Sequence, residues 1–283
     1  MRLSGYERNG AVGIGAWSGT ELRGLEEGMP GYPGDLDGLV GAGAELGPVG
    51  RALRGAPVVD PDSVRFLPPL RRPSKILCVG LNYRAHTSEI GFKAPDHPTI
   101  FARFPSTLVG HGRPILRPVE SDQLDYEGEM VVVIGRRCRR VGADRALDHV
   151  VGYSIFNEAS IRDWQMRTSQ WTLGKNFDAT GAFGPSLVTA DEVPPGGAGL
   201  RVRTRLNGAV VQDGNTSDMV FGAAELVALL SEAMTLEPGD IIVTGTPAGV
   251  GMSRTPPLFM KPGDVCEVEI EGLGTLRNPV AEG

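Results

Sequence analysis

A chain of 283 residues, 41% hydrophobic and 22% charged, has an ordinary globular composition. It is long enough for one large domain, or one domain with a small appendage, to bury a core without disulfides. The net charge of −6 argues against a nucleic-acid surface, which asks for a basic stripe; Arg136, Arg137, Arg139 and Arg140 read instead as a solvated turn. Cys78, Cys138 and Cys266 are widely spaced and form no CxxC. With no apolar leader at the N-terminus and no apolar run approaching ~18 residues, they point to a reducing, cytoplasmic compartment.

In chain order, residues 1–55 are glycine-rich and short-patterned. "AVGIGAW" predicts one or two small strands, and "DLDGLVGAGAELGPVGRALRG" a weak helix or two. Prolines at 57, 61, 68, 69 and 73 then forbid a regular helix or a central strand. A boundary is expected there, dividing a small N-terminal domain with its linker (1–72) from a larger domain (73–283). "KILCVG" reads as a strand closed by glycine. "DRALDHVVGYSIF" reads as a short helix feeding a strand, and "RVRTRLNGAVVQDG" as a hairpin turning at Asn207-Gly208. "VFGAAELVALLSEAM" has the periodicity of an amphipathic helix. Glu237-Pro238-Gly239-Asp240 and Lys261-Pro262-Gly263-Asp264 are matching turns, each launching a strand. Strands dominate and do not alternate with helices, so the expected class is β-rich α+β.

Several chemistries are excluded. Gly174-Lys175 lacks the glycine a phosphate loop needs five residues earlier, where Ser169 stands. No GxGxxG or GxSxG occurs. What does stand out is "LDYEGEMVVVIG", in which Asp125, Glu127 and Glu129 alternate into a buried-looking strand. Alternate residues share a strand face, and Glu127 and Glu129 would lie about 6–7 Å apart along it. Either that face is wet, or the two carboxylates converge and need a proton or a hard cation between them. In "NEASIRDWQ", a helix capped by Asn157 would put Glu158, Arg162 and Gln165 on one face; this is either a surface ion pair or a third carboxylate with polar neighbours. His86 and Glu89 lie one helical turn apart in "LNYRAHTSEIG". They form either a loop pair or a general-base dyad. The glycines of "TGTPAGVG" allow close backbone approach to a ligand, and Lys175 in "WTLGKNFD" could hold an anionic oxygen.

These stretches, together with "PSTLVGHGRPI", "LNGAVVQDGNTSDMVF" and "KPGDVCEVEIEGLGTLRNPV", closely resemble the fumarylacetoacetate hydrolase family over about residues 75–281. The resemblance implies that family's mixed β-sandwich roll, usually a homodimer, with residues 1–72 as its variable N-terminal part. It implies a divalent metal, Mg²⁺ or Mn²⁺ with Ca²⁺ as an alternative, on Glu127, Glu129 and Glu158. It makes His86 and Glu89 the pair on a lid and Lys175 a catalytic cation. Arg162, Gln165 and Thr246 become substrate contacts. Two positions depart from the family's usual pattern: Glu158 stands where many members have Asp, and Arg103 in "FARFPST" replaces a lysine. Arg103 could grip a substrate carboxylate.

The leading expectation is hydrolytic C–C cleavage of a 1,3-dicarbonyl acid such as an acylpyruvate, with His86 activating water and Lys175 stabilising the oxyanion. The alternative is an oxaloacetate decarboxylase or tautomerase, or a dienoate isomerase or hydratase, on the same site. A non-catalytic binding protein is a third reading. Specificity is expected to lie in "GFKAPDHPTIFARF" and "WQMRTSQWT", where Phe104, Trp164 and Trp171 could line an apolar pocket.

Overall fold

The computed structural model describes residues 1–89 and 96–283. Its framework is a 12-stranded sheet faced by a five-stranded one. The large sheet's central strands are Gly181–Thr189, Val150–Glu158, Gly128–Ile134, Ile241–Val243 and Ile76–Gly80, with Thr99–Arg103 at one edge. The strand Gly128–Ile134 is buried throughout. Its side chains alternate between two cores as the strand period requires. Met130, Val132 and Ile134 pack with Val202, Cys266 and Val268 of the small sheet. Val131 and Val133 pack on the opposite side with Phe156, Ile241, Leu36 and Leu53. This double burial explains why the run is continuously apolar.

The N-terminal residues build more sheet than their glycine content suggests. Arg2–Arg8, Ala11–Ser18 and Glu21–Glu26 form an antiparallel meander. The glycines make room for Tyr6, since a Cβ on Gly13 would lie 2.4 Å from its ring. Arg2–Arg8 pairs with Gly181–Thr189, so one sheet runs through both parts of the chain. Two short helices, Leu36–Gly41 and Leu46–Leu53, follow. The proline-rich stretch holds only two-residue strands and one 3₁₀ turn.

Further on, the expected hairpin turns where predicted, with Asn207 at φ 51° and Gly208 at φ 82°, between Arg201–Leu206 and Ala209–Asn215. The amphipathic helix is Ala223–Ala233. Both Pro-Gly-Asp turns precede strands, Ile241–Val243 and Val265–Ile270. One expectation fails. "NEASIRDWQ" is not a single helix: Asn157 and Glu158 end the strand Val150–Glu158, and only Arg162–Gln165 is helical. Pairing on both sides of that strand, with Gly128–Ile134 and Gly181–Thr189, overrides the local helical pattern. Asn157 caps nothing; its amide accepts from the Glu127 N–H and donates to Cys266 Sγ.

Candidate active site

Glu127 and Glu129 continue the row of Val131 and Val133 past the start of their strand, and Glu158 ends the neighbouring strand on the same side. One carboxylate oxygen from each lies within 4.8 Å of the other two. All three residues are buried, so the face is not wet. Among the described residues this is the one cluster of acidic, histidine or cysteine side chains close enough to hold a metal ion. An all-oxygen donor set of this kind suits a hard divalent cation.

Three buried cations surround the triad. Lys175 Nζ donates to Glu127 Oε2 at 2.6 Å and to Glu158 Oε2 at 3.1 Å. Arg162 reaches Glu127 Oε1 at 2.7 Å through Nη1. Arg103 Nε donates to Glu158 Oε1 at 3.2 Å. The electrostatics divide accordingly. Burial pushes the Glu127 carboxyl up, but Lys175 and Arg162 outweigh it and hold it well below its usual range. Among the described residues, no cation is in contact with Glu129. Burial, then the charges of Glu158 and Glu127, push its carboxyl well above the ordinary value, while a hydrogen bond from the Gly245 N–H at 2.5 Å works the other way. Lys175 resists the downward pull of burial because Glu127 and Glu158 hold its proton.

A pH effect follows with a definite sign. Without metal, Glu129 keeps a proton that the unfolded chain releases. This favours the folded state below the ordinary value of 4.5, and the benefit is lost as pH rises through the raised value. A cation held by Glu127, Glu129 and Glu158 would displace that proton and relieve the repulsion. Mn²⁺ should therefore raise Tm more near about pH 8 than near about pH 5, as followed by scanning fluorimetry. Equal shifts at both would remove Glu129 from the ligand set.

Asp125, the third acid of the alternating stripe, is no ligand. It lies in a separate two-residue strand. It accepts from Arg162 Nε at 2.8 Å and from the Gly251 and Met252 N–H groups at 2.7 and 2.9 Å. It therefore locks Arg162 and the 249–252 loop together. Arg162 Nη1 also donates to Gln165 Oε1 at 2.9 Å. Its Nη2 is buried without a hydrogen-bond partner among the described residues.

The glycine-rich turn serves the carboxylates directly. Gly245 has φ 95°, and a Cβ there would lie 2.9 Å from Val79 O and from Asn82 Cβ. Gly249 N–H donates to both oxygens of Glu89, at 3.0 and 3.1 Å. Thr246 lines the cavity, but its hydroxyl already donates to Gly128 O and accepts from Gln212 Nε2.

His86 and Glu89 fall on the short helix Arg84–Glu89, with Nδ1 3.2 Å from Glu89 Oε2. The glutamate orients the ring, which leaves Nε2 to take or give a proton. His86, the triad, Lys175, Arg162, Gln165 and Thr246 all line one cavity of about 270 Å³. Arg103 is not on its wall. It lies behind Glu158, with further bonds to Ala159 O and Thr180 Oγ1. The expected grip on a substrate carboxylate is thus replaced by a grip on Glu158: the two departures from the family pattern meet in one buried ion pair.

Of the aromatic residues expected around a pocket, Trp171 lines the cavity. Trp164 packs on Phe177 and under Arg167, while Phe104 is exposed. Residues 91–95 of the expected specificity stretch lie outside the described residues. Sequence patterns missed Met252, Leu81 and Val79 as cavity walls; nothing in their local pattern separates a wall residue from a core one.

Fold and site together define a strand-rich protein with a buried three-carboxylate centre open to a cavity. Residues 75–281 match the family model described as "Fumarylacetoacetate (FAA) hydrolase C-terminal", and the chain belongs to the fumarylacetoacetate hydrolase family. It is 45% identical over 225 residues to a Rattus norvegicus protein named oxaloacetate tautomerase Fahd2a, mitochondrial, covering 79% of this chain and 72% of that one. A Dictyostelium discoideum fumarylacetoacetate hydrolase domain-containing protein 2 homolog is 45% identical over 74% of this chain and 72% of its own. Among solved structures, a fumarylacetoacetate hydrolase from Exiguobacterium antarcticum superposes with a TM-score of 0.87 at 36% identity, covering both chains fully. A Mycobacterium smegmatis 5-carboxymethyl-2-hydroxymuconate delta-isomerase gives 0.79 at 34%, covering 100% of this chain and 99% of that one. No helix among the described residues is long and apolar enough to cross a membrane.

Proposed function

We propose that this protein is a divalent-metal enzyme that interconverts the keto and enol forms of a 2-oxo acid. The observation that carries this reading is the buried triad with Lys175 inside it, open to a cavity that also holds the His86–Glu89 pair. The relatives' names support proton transfer ahead of the C–C hydrolysis expected from the sequence, since they include a tautomerase and an isomerase. Mg²⁺ or Mn²⁺ on Glu127, Glu129 and Glu158 would act as a Lewis acid toward the 2-oxo carboxylate end.

The chain's own groups do the rest. Arg162, with Gln165 beside it on the cavity wall, binds and orients the carboxylate. Lys175 adds positive charge where the enolate oxygen forms. His86 Nε2 exchanges the proton. In ketonisation the enol O–H bond breaks, a C–H bond forms at C3, and the composition is unchanged.

Enol oxaloacetate with Mn²⁺ should lose its ultraviolet absorbance faster with the protein than without, and should release no CO₂. His86→Ala should slow this by about 10²–10⁴-fold. No acceleration by the metal-loaded protein would sink the tautomerase reading. A second reading, water attack on an acylpyruvate, is favoured by the same His86–Glu89 dyad, which suits a general base; release of a new carboxylic acid from acetylpyruvate would support it.

A further inference from the structure

The strand that carries Glu129 is unevenly partnered. On one side Val150–Glu158 pairs with it from end to end, Gly128 opposite Asn157 and Ile134 opposite Val150. On the other side Ile241–Val243 faces only Val131, Val132 and Val133. The Thr244 N–H still reaches Met130 O at 3.0 Å, and beyond it the chain turns away. Among the described residues, no strand lies across from Gly128 on that side. Gly128 is buried, and a buried peptide group left unpaired is costly.

Side chains take the missing strand's place. Gly128 N–H donates to Gln212 Oε1 at 3.0 Å, and Gly128 O accepts from Thr246 Oγ1 at 3.0 Å. Gln212 Nε2 closes the ring by donating to Thr246 Oγ1 at 2.8 Å. The rest of the amide is used as well: Nε2 donates to Pro247 O at 2.8 Å, and Oε1 accepts from Thr204 Oγ1 at 2.7 Å. Gln212 is buried, and both its donors and both its lone pairs have partners. The Gly128 N–H on one side and the Pro247 carbonyl on the other admit one orientation of the amide. Its strand, Ala209–Asn215, packs tightly on the turn. A Cβ on Gly214 would lie 2.5 Å from Pro247 Cβ, and one on Gly249 would lie 2.3 Å from Val211 O.

We propose that Gln212, acting through Gly128 and Thr246, is a positioning residue for the carboxylates that hold the divalent cation. Gly128 is the single residue between Glu127 and Glu129. Fixing both of its backbone groups fixes the separation at which the two side chains leave the chain. The same ring anchors Thr246 beside Gly245, whose N–H donates to Glu129 Oε2 at 2.5 Å. One buried amide thus sets the Glu127–Glu129 spacing and steadies the donor that orients Glu129. Thr246 is assigned to this ring rather than to substrate. The inference rests on the metal reading of the triad.

The test is Mn²⁺ affinity by calorimetry without substrate, alongside thermal melting in chelator. Gln212→Met keeps the length of the side chain but removes the amide; Thr246→Val keeps the shape but removes the hydroxyl. Each should weaken Mn²⁺ binding by about 10–100-fold, the range for losing a group that orients a metal ligand. Thr246→Ser restores the hydroxyl and should bring affinity back to the wild-type value. A purely structural role predicts a different pattern: lower melting temperatures in chelator, with the folded protein's Mn²⁺ affinity unchanged. Wild-type affinity in Thr246→Val, or in a folded Gln212→Met, overturns the proposal, as does a Thr246→Ser protein that binds as weakly as Thr246→Val. Should Gln212→Met fail to fold, the valine and serine variants at 246 decide alone. A wild type that binds no Mn²⁺ overturns the metal reading and this proposal with it. If the affinities behave as expected but oxaloacetate is not tautomerised, the tautomerase reading alone falls.

Discussion

Replacing Lys175 with methionine should abolish turnover and destabilise the metal-free protein by about 3–5 kcal/mol, the usual cost of breaking a buried ion pair from one side. The lysine is fully inside the protein, with one ammonium shared between Glu127 and Glu158. Methionine keeps much of the volume beside Phe101, whose ring lies 5.0 Å from the ammonium, so the loss isolates the charge. Afterwards Glu127 keeps Arg162 and Glu158 keeps Arg103, but the two carboxylates face each other and Glu129 with no cation between them. Mn²⁺ should restore part of the stability without restoring turnover, because a cation on the triad meets the same repulsion. Urea melts in chelator and in Mn²⁺ separate the two effects. Wild-type stability in chelator would show that Lys175 does not hold the triad together.

Arg103→Ala should weaken Mn²⁺ binding by about 10–100-fold, the range for losing a residue that orients a metal ligand. The guanidinium is buried behind Glu158, bonded to its carboxylate, to Ala159 O and to Thr180 Oγ1. Without it Glu158 loses one of two cationic partners, and the Ala159 carbonyl loses this donor. Arg103→Lys keeps the charge but not the three-way fork, so an intermediate affinity is expected. The measurement distinguishes two roles. A residue that grips substrate raises KM and leaves metal affinity alone; one that positions Glu158 changes metal affinity first. Calorimetry with Mn²⁺ in the absence of substrate reads the second directly. Unchanged Mn²⁺ affinity in Arg103→Ala would return the arginine to the substrate.

Both results turn on Glu158. Its side chain is one methylene longer than the aspartate that the family resemblance leads one to expect there. In the fold, the longer side chain spans from the end of its strand to Arg103 on one side and Lys175 on the other. Arg103 and Glu158 occupy adjoining space and meet in one buried ion pair.

Much of this was legible in the chain itself. Short-range features read directly: the Asn207-Gly208 hairpin, the two Pro-Gly-Asp turns, the amphipathic helix Ala223–Ala233 and the His86–Glu89 spacing depend on backbone sterics and on residues three or four apart. The alternating Glu127 and Glu129 could be found because a strand repeats every second residue, whatever lies across from it. The family resemblance joined them to Glu158 and Lys175.

Only the tertiary structure decided which charges meet. Whether the acidic face was wet or buried depended on strands far away in sequence closing over it. Whether Glu158 ended a strand or began a helix was settled by pairing on both sides with residues near 128 and 181. Arg103 faces Glu158 rather than the cavity because the edge strand Thr99–Arg103 brings its last residue behind Glu158, a contact across 55 residues. Leu81, Trp171 and Met252 come from three separate stretches and share one wall. A sequence states each side chain's chemistry and its local period. Which cation neutralises which carboxylate, and what an apolar residue faces, is set by packing between segments that no local pattern connects.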